Sequence, residues 1–472
     1  MIDNGGASIM RADRVRVPRK AQGGVRAKIA AYGTYLPAHR VAVGRGLRVA
    51  AGFDEDSTTM GVEAARTLLP HGAAVGGLYF ATTSPAYADK TNATAIHAAL
   101  GLALETMAAD FAGAARSGVA AVRMAAATGG LAVLADVRTG LSGSADEHSG
   151  GDCAAAFLFG ETADPVAEVV AQASLTAEFL DRWRSPGDAA GRQWEDRFGL
   201  EHYLPLAERA AKELLSEGGV GAPDHVVITS PNRQVSAKAG RLITGSLSTV
   251  AGSPAGHAGA ADLGLALASV LDTAEPGQTV LALSLADGVD GFLLRTGTGR
   301  RAPRTVAAQL ARAHEVPYLT YLSWRGLLTR EPPRRPEPDM PAGPPSARAV
   351  AWKFGFRGTR CQACGFTHLP PARVCRDCGA VDEMVAEPRA GSAGTVATYT
   401  VDRLAFSPSP PLIEAVVDFD GGGRYTLEVA DAAPDEVGAG TRVEPVFRRL
   451  YTAGGVHNYF WKARPVRADE ES

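Results

Sequence analysis

No apolar run in this chain approaches the roughly 20 residues that a membrane-spanning helix needs, so nothing predicts insertion into a bilayer. Neither sign of charge is in surplus: 48 Lys and Arg stand against 51 Asp and Glu, a formal net charge of -3. A chain so balanced carries no broad basic field for nucleic acid or an anionic membrane surface. Cysteine is scarce, with five in 472 residues, and four of them fall between positions 361 and 378. That usage fits a reducing cytoplasm and a metal site rather than a disulfide scaffold. A signal-peptide apolar segment is also missing. Residues 1–26 instead set Arg11, Arg14, Arg16, Arg19, Lys20 and Arg26 among small and polar residues, and read as a flexible lead-in.

At 472 residues the chain exceeds what one hydrophobic core serves and predicts two or three domains. From Lys28 to about Arg295, short apolar strands alternate with Ala-rich amphipathic helices. Strands are expected at Lys28–Tyr32, Gly77–Ala81, Leu131–Ala135, Ala154–Leu158, His225–Ile228 and Thr279–Leu283. Helices are expected at Thr58–Leu69, Thr94–Leu102, Val119–Ala127, Leu206–Ser216 and Ala260–Leu271. The alternation predicts an α/β domain, 27–298, with a largely parallel buried sheet, and its size suits two similar halves joined near residues 165–175. A helical extension is expected over 299–329. Residues 330–347 (REPPRRPEPDMPAGPPSA) form a Pro-rich linker. At about 3.1 Å per residue such a linker spans roughly 55 Å, enough to cross onto a partner subunit. Beyond it, strand-like runs at Gly394–Val401, Leu412–Phe419, Gly423–Val429, Arg442–Arg449 and Val456–Ala463 are separated by Gly, Pro and Asp turns. They predict a small all-β barrel over 389–467, preceded by a metal knuckle over 348–388 and followed by an acidic tail, 468–472.

Cys361 and Cys364 form one C-x-x-C pair, and Cys375 and Cys378 another. Two such chelating turns complete a tetrahedral four-thiolate shell for Zn2+, and a closed shell with no open position is structural. A ribbon followed by a barrel also suits single-stranded nucleic acid. From Arg348 to Ser472, however, 15 Lys and Arg face 16 Asp and Glu, which lacks the basic face such binding needs.

Several stretches resemble known families. FGFRGTRCQACGFTHLPPARVCRDCG and GTVATYTVDR resemble the acyl-CoA-associated OB-fold family with its rubredoxin-like zinc ribbon. KIAAYGTYLPAHRV, SPAYADKTNAT, GGDCAAAFLFG and GHAGAADLGLALASVLD resemble, in order and spacing, 3-hydroxy-3-methylglutaryl-CoA synthases and more distantly ketoacyl-ACP synthase III. The resemblance implies a thiolase-like doubled five-layer α/β/α/β/α domain that forms a homodimer, with acyl-CoA as substrate or ligand. It also implies a cysteine nucleophile at a helix N-terminus, assisted by His, Asn and Glu.

Position by position, those roles have changed. Asp110-Phe-Ala-Gly-Ala-Ala115-Arg-Ser-Gly118 places Ala115 where the cysteine belongs. Thr229, in Thr229-Ser-Pro-Asn232, stands for the histidine, His257 for the asparagine, and Thr83, before Ser84-Pro-Ala-Tyr87-Ala, for the glutamate. An alanine cannot form an acyl-thioester, so condensation through that position is excluded. Cys153, in a Gly turn running into an apolar strand, reads as a packed core residue. Two functions stay open. In one, the chain is an acyl-CoA-handling subunit whose OB domain cradles the ligand for a separately encoded thiolase. In the other, it is a thiolase-fold lyase or acyltransferase with a site rebuilt around His257, with Tyr87 and Asp110 nearby. For Asp110 the competing role is hydrogen bonding at a helix entry, and for Tyr87 packing under the pocket. Arg116 is a candidate for the acyl carboxylate or the CoA phosphates, or else a solvated helix-start arginine.

Overall fold

The expected apolar runs become strands, and the computed structural model, which describes residues 27–44, 46–70, 72–243, 246–331 and 348–466, arranges them as one unit repeated twice. The first unit runs β1 (Lys28–Tyr35), α1 (Ser57–Ala65), β2 (Leu78–Thr82), α2 (Ala93–Leu100), β3 (Ala108–Ala112), α3 (Ser117–Thr128), β4 (Leu131–Asp136), β5 (Cys153–Phe159). The second runs β6 (Ala167–Thr176), α4 (Asp196–Gly218), β7 (His225–Thr229), α5 (Arg233–Leu242), β8 (Ser248–Ala251), α6 (Asp262–Leu271), β9 (Thr279–Leu285), β10 (Gly288–Thr296). Strand order is β3-β2-β4-β5-β1 in the first and β8-β7-β9-β10-β6 in the second, the same order position for position. β1 and β6 share only the pairs Lys28–Glu168 and Ile29–Ala167, so two five-stranded sheets meet at a corner.

Helices α3 and α6 lie between the sheets, where Val119, Leu134, Phe157, Leu265 and Phe292 share one core. Helices α1 and α2 cover the outer face of the first sheet, and α4 and α5 that of the second. The result is a five-layer α/β/α/β/α fold. The expectation of a largely parallel sheet is corrected: β2–β3, β2–β4, β7–β8 and β7–β9 are parallel, and the other five neighbouring pairs are antiparallel. Strands covered on both faces are apolar throughout in either orientation, so the pattern cannot tell the two apart. Helix α4 begins ten residues before the expected Leu206 and carries Pro205 inside it.

Residues 299–329 hold two short helices, Val306–Ala311 and Tyr318–Trp324, and His314–Glu315 between them pairs with His39–Arg40. The lead-in, the acidic tail and all of the Pro-rich linker except Arg330 and Glu331 lie outside the described residues. The ribbon is a three-stranded sheet of Arg357–Cys361, Thr367–His368 and Met384–Pro388. The OB-fold sheet follows as β11 (Gly394–Asp402), β12 (Leu412–Phe419), β13 (Arg424–Glu428), β14 (Arg442–Ala453) and β15 (Val456–Pro465), in the order β13-β12-β11-β14-β15. A bridge between Val429 and Ala463 brings its two edges together. Among the described residues, no helix is long and apolar enough to cross a membrane.

The sequence suggests a linker able to carry the barrel onto a partner subunit, but in this structure the barrel is docked on its own chain. Its aromatic core, including Phe356, Phe447 and Trp461, is continuous with that of α1 and the first sheet. Around this contact runs a buried polar seam. Arg448 of β14 is fully buried and pairs with Asp431 at 2.7 Å and with Glu55 at 3.2 Å. Lys462 of β15 pairs with Asp54 at 2.9 Å and Glu428 at 2.8 Å. Glu63 of α1 accepts from the Phe447 amide at 2.8 Å, and Tyr459 donates to Asp56 at 2.8 Å. Glu444 faces Arg464, Arg66 and Arg304, whose charges outweigh burial and hold its carboxyl well below the usual range.

Around Arg448 one guanidinium meets more than one acid. Glu55, which also accepts from the Tyr35 hydroxyl, is the one pushed up, to about 7, chiefly by burial and against the pull of Arg448. Two predictions follow from this seam. Replacing Arg448 with Ala leaves buried acids unpaired and is expected to cost about 3–5 kcal/mol, read from denaturant unfolding. Glu55 holds its proton in the folded chain up to about 7, against 4.5 for the free group. Its contribution to stability is therefore present at low pH and falls as pH rises through that window. Unfolding midpoints at pH 5 and pH 8 should lie closer together in Glu55→Gln than in the unaltered chain.

Candidate functional site

The cleft of the doubled fold lies where strand ends and helix starts of the two halves converge. It has a volume of about 100 Å3, and Thr83, Ala115 and His257 all line it. Ala115 comes from the turn before α3, Thr83 from the end of β2, and His257 from the loop leading into α6. Three of the four positions that the resemblance marks as catalytic are thus gathered at one place. Thr229 ends β7 with its hydroxyl buried and without a hydrogen-bond partner among the described residues, and Pro231 of the same turn reaches the cleft.

Two carboxylates give the cleft its shape. Asp136, fully buried at the end of β4, accepts from the Thr83 amide at 2.9 Å, the Thr83 hydroxyl at 3.0 Å and the Ser84 hydroxyl at 2.7 Å. Its other oxygen accepts from the Ala260 amide at 2.6 Å, which pins the His257 loop of the second half to the first. Gly259 fits between them because it has no Cβ: one added there would lie 2.0 Å from Asp136 Oδ2, at a φ of +54° that side chains rarely adopt. Asp262 orients the histidine. Its Oδ2 lies 3.1 Å from His257 Nδ1, and its Oδ1 accepts from the Ala258 amide at 3.1 Å. Both side chains are more than nine-tenths buried. A second hollow of about 360 Å3, lined by Ser149, Ser230, Ser253 and Arg233, shares His257 and Pro231 with the first.

Other candidates fall elsewhere. Arg116 does not line the cleft; its guanidinium is engaged by Asp290 at 2.7 Å, the Asp287 carbonyl and Thr176. Asp110 accepts from the Asn92 and Ala93 amides at 2.6 and 2.7 Å, the helix-entry role at the start of α2. The Tyr87 hydroxyl accepts from the His457 amide at 2.7 Å and its ring packs on His457, against the barrel. Cys153 is fully buried in β5, where burial, then Asp262, Asp152 and Asp136, push its thiol well above the usual range. It is a core residue, not a nucleophile in this state.

Sequence reasoning missed Asp136, Asp262 and the loop residues Asp181, Arg182 and Arg184, which all bound or shape the cleft. The signal for Asp262 was present, as the acid that opens α6 five residues after His257. The Asp181–Arg184 run lay in a stretch without periodicity, where nothing marked it.

In the ribbon, each cysteine pair closes the same turn. The Gly365 amide bonds to Cys361 O at 2.9 Å and the Gly379 amide to Cys375 O at 3.0 Å, both glycines at a φ of 80°. The four sulfurs lie within 4.8 Å of one another, with Cys361–Cys378 at 3.7 Å and Cys364–Cys375 at 3.5 Å. A tetrahedral zinc with bonds of about 2.3 Å sets sulfurs about 3.8 Å apart, so the donor set fits that ion.

The doubled fold and its cleft define the chain's first part as thiolase-like. Residues 355–383 match the family described as ChsH2, rubredoxin-like zinc ribbon domain, and residues 387–448 match ChsH2, C-terminal OB-fold domain. The hydroxymethylglutaryl-CoA synthase of Methanothermobacter thermautotrophicus is 30% identical over 349 residues, covering 64% of this chain and 99% of that protein. That of Archaeoglobus fulgidus is 29% identical over 340 residues, covering 63% and 98%. Among solved structures, MvaS in complex with 3-hydroxy-3-methylglutaryl coenzyme A aligns with a TM-score of 0.54 at 18% identity, covering 66% of this chain and 95% of that one. The chain therefore belongs to the hydroxymethylglutaryl-CoA synthase family, and carries in addition a ChsH2-type zinc ribbon and OB-fold domain.

Metal analysis of the purified chain should return one zinc per chain, and Cys361→Ser should lose it together with the protease resistance of the ribbon.

Proposed function

We propose that this chain is an acyl-CoA-handling subunit: it holds an acyl-CoA thioester in the cleft, does not condense it through position 115, and works beside a separately encoded thiolase. The observation that carries the reading is Ala115 in an open, polar cleft. The pocket survives at the mouth of α3 while the side chain there cannot take an acyl group. The second hollow, with its serines and Arg233, offers hydrogen-bond donors to a pantetheine arm that reaches His257. The β14–β15 hairpin of the OB domain meets Tyr87 a few residues beyond Thr83, which suits a barrel that forms part of the ligand's path. A homodimer through the first half is part of the same proposal. It is supported by β3, which among the described residues is paired on one side only, and by Leu104 and Met107 beside it, 92% and 63% exposed.

The test is titration calorimetry with acyl-CoA, followed by an assay for free CoA. Binding without CoA release, and release once the partner thiolase is added, is the expected result. In Ala115→Cys, a chloroacetyl-CoA probe should label position 115 and leave the unaltered chain unlabelled, which checks that the thioester end reaches α3.

A second reading rests on the His257–Asp262 pair. A buried imidazole fixed by a carboxylate and facing a cleft is the arrangement of a general base, and a retro-aldol or acyl-transfer step needs one. That reading expects turnover by the chain alone, lowered about 10²–10⁴-fold in His257→Ala.

A further inference from the structure

At the end of the second sheet away from the cleft, three side chains form a line of hydrogen bonds. Strands β7 and β8 start in register as parallel neighbours, His225 beside Ser248, so both side chains leave the sheet on one face. Strand β9 flanks β7 on its other side, and Gln278 stands just before its first residue, Thr279. Ser248 Oγ lies 2.6 Å from His225 Nδ1, and Gln278 Oε1 lies 2.8 Å from His225 Nε2. The direction of each bond follows from the donors. The Glu275 amide donates to Gln278 Oε1 at 2.7 Å, which marks that atom as the oxygen of the carboxamide. An amide oxygen only accepts, so His225 Nε2 carries the proton it shares with Gln278. In the neutral imidazole Nδ1 is then the bare nitrogen, and the Ser248 hydroxyl donates to it.

Asp224 keeps the three strand starts aligned. Its carboxylate accepts from the Thr279 amide at 2.7 Å and the Thr279 hydroxyl at 2.8 Å, and its carbonyl accepts from the Leu247 amide at 2.6 Å. The two bonds from Thr279 hold its carboxyl below the usual range, so it stays negative beside His225 and favours a positive imidazolium there. The imidazole is buried, 8% exposed, while Ser248 is partly exposed at the head of β8, which is an edge strand among the described residues. Its neighbour Leu247 is 72% exposed, which leaves this edge open to a small apolar reagent. Strand β7 carries His225 at one end and Thr229, next to the cleft, at the other. At about 3.3 Å per residue that sets the two roughly 13 Å apart, so these groups are separate from the cleft and independent of the acyl-CoA reading.

We propose that Ser248 is a surface nucleophile that takes the acyl group of a small activated carboxylic ester, with His225 as its base and Gln278 as the residue that positions the imidazole. A serine hydroxyl that donates to an imidazole whose other N–H is held by an acceptor has the relation of nucleophile, base and orienting group. In the step, Ser248 Oγ bonds to the ester carbonyl carbon while its proton passes to His225 Nδ1. The bond from that carbon to the leaving oxygen then breaks, the departing alcoholate takes the proton from His225, and acyl-Ser248 remains. No oxidant, metal or further reactant enters.

The full chain is treated with p-nitrophenyl acetate, nitrophenolate release is followed by absorbance, and the acetylated residue is located by peptide mass spectrometry. One acetyl group per chain on Ser248 is expected, and none at that position in Ser248→Ala. His225→Gln lacks the base and should acylate about 10²–10⁴-fold more slowly. Gln278→Leu releases the imidazole N–H and should also slow the step, whereas the isosteric Gln278→Glu should retain it. A fluorophosphonate probe, which reacts with activated serines, should label the same residue of the unaltered chain. Acetyl groups found only on other residues overturn the proposal whatever the variants do. Acetylation of Ser248 at one rate in the unaltered chain and in His225→Gln overturns it as well, because the hydroxyl would then react without its base.

Discussion

One buried carboxylate holds the cleft together. Asp136 is removed from water at the end of β4 and makes up for its lost hydration with five hydrogen bonds, from Thr82, Thr83 twice, Ser84 and Ala260. A carboxylate at that depth is tolerable only when donors surround it. Because four of those donors belong to the first half and one to the second, satisfying Asp136 fixes the relative position of Thr83 and the His257 loop. Gly259 supplies the close approach that this needs, and Asp262 then sets the imidazole. The chemistry of the cleft is built on that geometry: a neutral threonine held by two arginines, an oriented histidine, and an alanine at the head of α3.

The barrel is fixed by a different kind of contact. Apolar packing alone could let it slide over α1, but Arg448, Lys462 and Glu444 each need particular partners once buried. A misplaced register would strand a charge, so the seam specifies one docking arrangement. The same seam brings the β14–β15 hairpin to Tyr87. The OB domain thus meets the loop a few residues beyond Thr83 and ceases to be a module at the end of a tether. That placement ties the zinc ribbon, too, to the cleft-bearing domain through a shared aromatic core.

Much of this was legible in the residues. The four cysteines announced their site by spacing alone, and the six expected apolar runs fell where strands form because both sheets are covered on both faces, while Ala108–Ala112, Ala167–Thr176, Ser248–Ala251 and Gly288–Thr296 were not read as strands. The reading that sets Ala115, Thr229, His257 and Thr83 where the resemblance implies Cys, His, Asn and Glu came from words that kept their spacing, and three of the four line one cleft. Strand direction was not legible, since a run such as Thr279–Leu285 is uniformly apolar whether its neighbour runs up or down. The helix expected from Leu206 in fact starts at Asp196 and runs through Pro205. Arg116, next to the lost nucleophile in sequence, points to Asp290, while Arg138 and Arg184, far from it in sequence, line the cleft.

The sequence by itself determined the cysteine cluster, the α/β class and the alanine at position 115, because each depends on residue type at short spacing or on alternating apolar runs, while the doubling came from the family resemblance. Only the tertiary structure decided which charges share the cleft, what orients His257, and that the barrel sits on its own chain. The barrel's seat depends on residues far apart in sequence, such as Glu63 and Phe447, and the cleft on loops of both halves, meetings set by burial and by the cost of leaving a charge unpaired.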